Sequence, residues 1–151
     1  MKHTIQISSL LLALSTASCA SDTDLETAFC DGLAAPAERT VDATSTMSDA
    51  PNVTDEARVD IQLIEGRGGF VTYVPDEPGS FAFGFSAPTE LVIRDENGTV
   101  VPLDETVTGA ACADLAVRYT ASLDLQVYRL ELVGAEATTV GFIAEESDDD
   151  L

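Results

Sequence analysis

The sequence predicts an all-β fold: an antiparallel β-sandwich of about eight short strands, preceded by one short helix. Three observations carry this. From Ala57 onward apolar residues recur with period two, the spacing at which alternate strand side chains face a core. Turn-forming groups such as GRGG, DEPG and DENG separate the apolar runs. No helical period survives after Gly32.

The front of the chain reads as an export signal over residues 1–18. Lys2 and His3 precede an apolar run, Ile5 to Ala17, interrupted by Gln6, Ser8, Ser9, Ser15 and Thr16. Its 13 residues fall short of the ~20 that a spanning helix needs. The next group, Thr16-Ala17-Ser18-Cys19, resembles a bacterial lipoprotein lipobox, departing from it at Thr16. The resemblance implies cleavage before Cys19, diacylglycerol on its thiol, and attachment to the outer membrane or cell surface. An ordinary cut after Ala20, with Ser18 and Ala20 at the −3 and −1 positions, is the alternative and would leave a soluble periplasmic or secreted protein. The polar SDTD tract that follows suits a tether.

Residues 19–37 are predicted to form an anchored N-terminal helix. Thr23 and Glu26 have capping-box spacing, Leu25, Ala28 and Phe29 supply an apolar face, and Gly32 stands where a C-terminal cap would end it. Residues 38–56, rich in Thr, Ser, Asp and Ala, read as a polar linker in which only Val41 suggests a paired strand. The sandwich occupies residues 57–146. Its eight segments are ARVDIQLIE, FVTYVP, SFAFGFS, ELVIRD, TVVPL, DLAVRYTASL, QVYRLELV and TVGFIAEE. Residues 147–151 form an acidic, solvated tail.

Two stretches carry a second resemblance. GSFAFGFSAPTELVIRDENGTVV and VRYTASLDLQVYRLELVGAEATTVGFIAEE are similar to the centre and closing half of bacterial pre-peptidase-type sandwich domains, as in small bacterial lipoproteins. Val127 stands where that family usually has glycine before the tyrosine. The resemblance implies an exported accessory or ligand-binding module and names no reaction.

Composition narrows the chemistry. Beyond residue 18 six arginines face 27 acids, with no lysine or histidine, a net charge of −21. Such a surface repels nucleic acid and anionic headgroups. Without histidine or lysine there is no Ser-His-Asp triad, histidine-zinc site, Schiff base or Ser-Lys dyad. The adjacent pairs Asp76/Glu77, Asp104/Glu105 and Glu145/Glu146 point to opposite faces if they lie on strands, so they are not expected to converge as glycosidase carboxylates do. Asp95 to Gly98 reads as a hairpin with a two-residue Asn97-Gly98 turn rather than a calcium loop. Phe81, Phe83 and Phe85, with Tyr73, Tyr119 and Tyr128, read as core. No metal or cofactor is expected.

Under either cleavage Cys30 and Cys112 remain, an even number in an oxidising compartment, and a single disulfide between them is the expectation. These readings combine into a lipid-anchored, non-enzymatic envelope module that binds a protein or carbohydrate. The alternatives are a carboxylate-based hydrolase or enzyme-accessory domain, and a purely structural envelope lipoprotein.

Overall fold

Pairing of the period-two segments builds two facing sheets, and the helix lies on the outside of the larger one. The computed structural model describes residues 22–53, 57–64, 67–109, 112–134 and 136–147. Helix α1 is Asp22–Ala34. The strands are β1 (Arg39–Asp42), β2 (Val59–Gln62), β3 (Gly68–Tyr73), β4 (Gly79–Phe85), β5 (Glu90–Arg94), β6 (Val100–Val101), β7 (Glu105–Thr108), β8 (Val117–Leu123), β9 (Tyr128–Val133) and β10 (Thr139–Ser147). A 3-10 turn, η1 (Met47–Asp49), follows β1. One sheet has the order β1-β2-β10-β4-β8-β7, the other β3-β9-β5-β6. The β1–β2 pair is parallel, and the remaining pairings are antiparallel.

The fold is the predicted all-β sandwich, with ten strands among the described residues where the periodicity predicts eight. The two additional strands, β1 and β7, are the outermost strands of the six-stranded sheet, and three of the four residues in each are exposed. A strand with a single half-buried residue among exposed ones shows no alternation, so period-two reading cannot find it. β1 is the strand that Val41 suggested. It belongs to a segment built into the body rather than strung between parts. Thr44 and Asn52 bridge to Phe70 and Thr72, and the Val53 N–H donates to the Thr72 carbonyl at 2.7 Å. Val53 itself is fully buried.

The core between the sheets is aromatic. Phe81, Phe83 and Phe85 point inward from β4, and Phe142 joins them from the neighbouring β10. Burying each such ring contributes about 1.5–3 kcal/mol. Phe83 meets Phe142 at 6.2 Å between centroids and Tyr73 at 5.2 Å, the latter edge-on. Two tyrosines carry their hydroxyls to backbone groups. Tyr119 on β8 donates to the Thr89 carbonyl at 2.7 Å, linking one sheet to the chain entering β5 in the other. Tyr128 accepts from the Asp124 N–H at 2.8 Å and from Gln126 Nε2 at 3.0 Å, which secures the β8–β9 connection around Val127.

The outward positions of β4 are Ala82 and Gly84, small because α1 covers them. Phe29 and Leu33 pack with Ala82, Leu115 and Ile143, and Leu25 flanks the cluster. A Cβ at Gly84 would lie 2.8 Å from Phe29 Cε1, so only a bare backbone admits the ring. Two details of the predicted helix are corrected. Ala28 is exposed, because the buried face runs Leu25, Phe29, Leu33 at four-residue spacing. Gly32 does not end the helix but lies within it, where a Cβ would collide with the Ile143 side chain. The capping role of Thr23 rests on a side chain outside the described residues.

Two ties hold α1 down. Cys30 and Cys112 form a disulfide, their Cα atoms 6.0 Å apart and 82 residues apart in sequence. Just beyond it, at the C-terminal end, Arg58 supplies the cation that the last turn of the helix lacks. Its Nη1 donates to the Leu33 and Ala35 carbonyls, while its Nε donates to Asp60 Oδ1 at 2.9 Å. Gly141 leaves room for this guanidinium, since a Cβ there would lie 3.2 Å from Arg58 Nε.

Two outcomes follow from these ties. Opening the 82-residue disulfide loop should remove ~4 kcal/mol of stability in the chain-entropy model. Urea unfolding of Cys30→Ser should show this, and two reactive thiols in denatured, unreduced protein from an oxidising compartment would rule the bond out. The second outcome concerns Tyr119. Burial, then the Glu90 charge, hold its phenol protonated above the ordinary value, against a smaller opposing effect of the Leu91 backbone. The folded state therefore binds the proton more tightly than the unfolded chain. Its contribution is complete below pH ~10 and is lost as pH rises through the folded value. Tyr119→Phe should cost about 1 kcal/mol at neutral pH and flatten the alkaline fall in stability seen by thermal unfolding.

Candidate functional site

The connection from β3 to β4 crosses from one sheet to the other, and its crossing leaves a cleft at the end of the sandwich. The cleft has a volume of about 390 Å³. Tyr73 and Phe81 form its floor, with ring centroids 5.8 Å apart and planes inclined at 66°. Ala144 of β10 completes the apolar base, and Asp76, Glu77 and Glu146 provide the polar lining. Among the described residues, no basic side chain lines it. Glu146 leans across the start of β4, where a Cβ at Gly79 would lie 3.3 Å from its Oε1.

This arrangement corrects part of the reading of adjacent carboxylates. Glu145 and Glu146 are consecutive on β10 and take opposite faces, as strand geometry requires. Asp76 and Glu77 lie in a turn, where alternation does not apply, and both line the cleft together with Glu146. The third pair is taken up by the fold. Asp104 Oδ2 accepts from Ser122 Oγ at 2.9 Å, and Glu105 Oε2 accepts from Arg118 Nη2 at 3.0 Å. Among the described residues, no three His, Cys, Asp or Glu side chains are grouped to hold a metal ion. The cleft carboxylates are thus neighbours along a rim rather than a ligand set.

The hairpin at Asp95 also differs in detail from its prediction. Gly98 N–H donates to Asp95 O, Asp95 N–H donates to Thr99 O, and Gly98 has φ +81°. These bonds close a three-residue loop, Glu96-Asn97-Gly98, in place of the two-residue turn. Asp95 Oδ1 accepts from the N–H groups of Asn97 and Thr99 at 2.8 and 2.9 Å, so that oxygen is occupied in shaping the turn.

Three of the arginines are structural in their contacts. Arg58 caps α1, Arg94 donates through Nε and Nη2 to Glu131 Oε2 at 3.2 Å, and the guanidinium of buried Arg118 reaches Glu105. Three of the six thereby spend their charge within the domain. The residues 1–18 assigned to a signal and the lipidation residue Cys19 lie outside the described residues. Among the described residues, no helix is long and apolar enough to cross a membrane.

Sequence reasoning missed the cleft because its residues are scattered over β3, the crossing turn, β4 and β10. The one local signal was that Asp76 and Glu77 stand beside Pro78 and Gly79, residues of a turn rather than a strand. Neither a family model nor a curated protein matches the chain.

The excess of acid leads to a simple test. Raising ionic strength from about 0.01 to about 0.15 M shortens the Debye length from about 30 to about 8 Å. Repulsion within a chain carrying 27 acids should weaken, and the thermal midpoint should rise. A falling midpoint would mean that the ion pairs of Arg58, Arg94 and Arg118 outweigh the repulsion.

Proposed function

We propose that the chain is exported, anchored through lipid on Cys19, and works by holding a partner protein or carbohydrate at the cell envelope rather than by catalysis. The observation that carries this is the distribution of charge. Arg58, Arg94 and Arg118 are engaged in internal ties, while the apolar-floored cleft between β3 and β4 has Asp76, Glu77 and Glu146 as its charged lining. A partner that enters this cleft therefore meets carboxylates, which favour a cationic face and steer its approach. The disulfide suits an oxidising compartment. The resemblance to exported pre-peptidase-type domains supports the same reading.

A second reading has its own observation. Asp76, Glu77 and Glu146 share one cleft, and paired carboxylates are the equipment of glycoside hydrolysis. The aromatic floor is compatible with a sugar ring, so a carboxylate-based hydrolase is the competing function.

Mass spectrometry of the mature N-terminus should find acylated Cys19, and Cys19→Ala should move the protein from the membrane to the aqueous fraction. A free N-terminus at Ser21 would sink the anchor. Envelope pull-downs with wild type and with an Asp76→Asn, Glu77→Gln, Glu146→Gln variant test the cleft, and the variant should lose the captured partner. Release of reducing sugar from envelope polysaccharide by wild type, abolished in the same variant, would favour the hydrolase instead.

A further inference from the structure

Away from the acidic cleft, we propose that the hollow between η1 and the β5–β6 hairpin binds a small zwitterion, its carboxylate on Arg129 and its ammonium on Glu96. The hollow has a volume of about 450 Å³ and is lined by Met47, Ser48, Glu96, Asn97, Gly98 and Arg129. The proposal depends on neither the lipid anchor nor the partner argued above.

Arg129 carries a guanidinium that no side chain of the described residues engages. It stands on β9 directly opposite Arg94 of β5, two guanidinium side chains in register on one sheet face. Like charges so placed are unfavourable unless answered. The Glu131 carboxylate goes to Arg94, which donates to it through both Nε and Nη2. Arg129 has only long contacts to backbone oxygens, Nη1 to Asp95 O at 3.4 Å and to Glu96 O at 3.5 Å. Among the described residues no carboxylate forms an ion pair with it.

The two acids of the facing hairpin are turned to other donors. Asp95 Oδ1 is occupied by the N–H groups of Asn97 and Thr99. Glu96 Oε1 accepts from the Val127 N–H at the long distance of 3.5 Å, leaving its second oxygen available. The hollow therefore presents a guanidinium with spare donors and a carboxylate with a spare acceptor. Ser48 and Asn97 add neutral hydrogen-bonding groups, and Met47, 40% exposed, adds an apolar wall.

That combination selects a class of ligand. A guanidinium pairs with a planar carboxylate through parallel N–H donors. A simple anion would have to approach against the field of a strongly acidic chain, whereas a zwitterion has no net charge to be repelled. Its ammonium finds Glu96, and an apolar body finds Met47. An α-amino acid with an aliphatic side chain is the smallest molecule with all three features. The walls are held for it: the segment bearing η1 is bridged to β3 at Thr44 and Asn52, and hydrogen bonds close the hairpin.

Leucine, N-acetyl-leucine and leucine amide, titrated into the folded protein and followed by NMR of the Met47 methyl and Arg129 side-chain signals, separate the possibilities. Leucine should give saturable shifts at both residues, and removing either charge from the ligand should weaken binding by about tenfold. Arg129→Gln should abolish the shifts at Met47. Because that substitution touches the hairpin backbone, Met47→Ala on the opposite, exposed wall provides a second variant, which should weaken leucine without changing the thermal midpoint. Equal binding of leucine amide and leucine, undiminished binding to Arg129→Gln, or no saturable shift with leucine would overturn the proposal.

Discussion

The packing of Phe83 and Phe85 against Phe142, across the central β4–β10 pair, sets the spacing to which the other elements are fitted. Rings of this size on adjacent inner positions keep the second sheet at a distance that only large partners can fill. Tyr73 on β3 of the facing sheet is one such partner, Tyr119 on the neighbouring β8 extends the same aromatic layer, and each ring contact is close to edge-on. The inward bulk also dictates what the same strands can carry outward. Ala82 and Gly84 alternate with the phenylalanines and leave a shallow bed, into which the Phe29 ring of α1 settles. The six-stranded sheet is thus buried on both faces at its centre and open at its margins.

That layering explains which parts of the fold were legible in the amino-acid order. β2, β3, β4, β5, β8, β9 and β10 each show a buried inner row, and alternation reveals them. Ala82 and Gly84 were themselves a sign that the outer side of β4 is covered, since a solvated face would carry polar groups. β1 and β7 have no such row. The turn at Asp76 and Glu77 shows why the cleft was invisible. Local spacing fixes the relation of neighbours on one strand, but not which distant strand end a crossing loop will meet. Cys30 and Cys112 were legible by arithmetic alone, because few other pairings were left to consider.

Charge is distributed unevenly for a physical reason. With so few cations, each arginine that the fold needs is placed where a neutral group would not serve. Arg58 lies against the carbonyl end of α1, Arg118 is buried beside β7, and Arg94 is set across from Glu131. Carboxylates collect instead at turns and strand ends, where water can solvate them. The acidic cleft and the hollow at Arg129 are opposite results of this scarcity. One is a concavity lined by carboxylates, the other a hollow whose arginine forms no ion pair among the described residues.

The disulfide also determines how the domain would bear tension. A pull applied between the two ends of the chain enters through α1, reaches Cys30, and passes directly to Cys112. Everything between them, β1 to β7 included, lies outside the path of the force. Only β8, β9 and β10 can be drawn out in line, and the bypassed 82-residue segment withholds on the order of 280 Å of contour from extension. The weak outer strands β1 and β7, which a direct pull could peel first, are therefore the ones that the covalent shortcut shields.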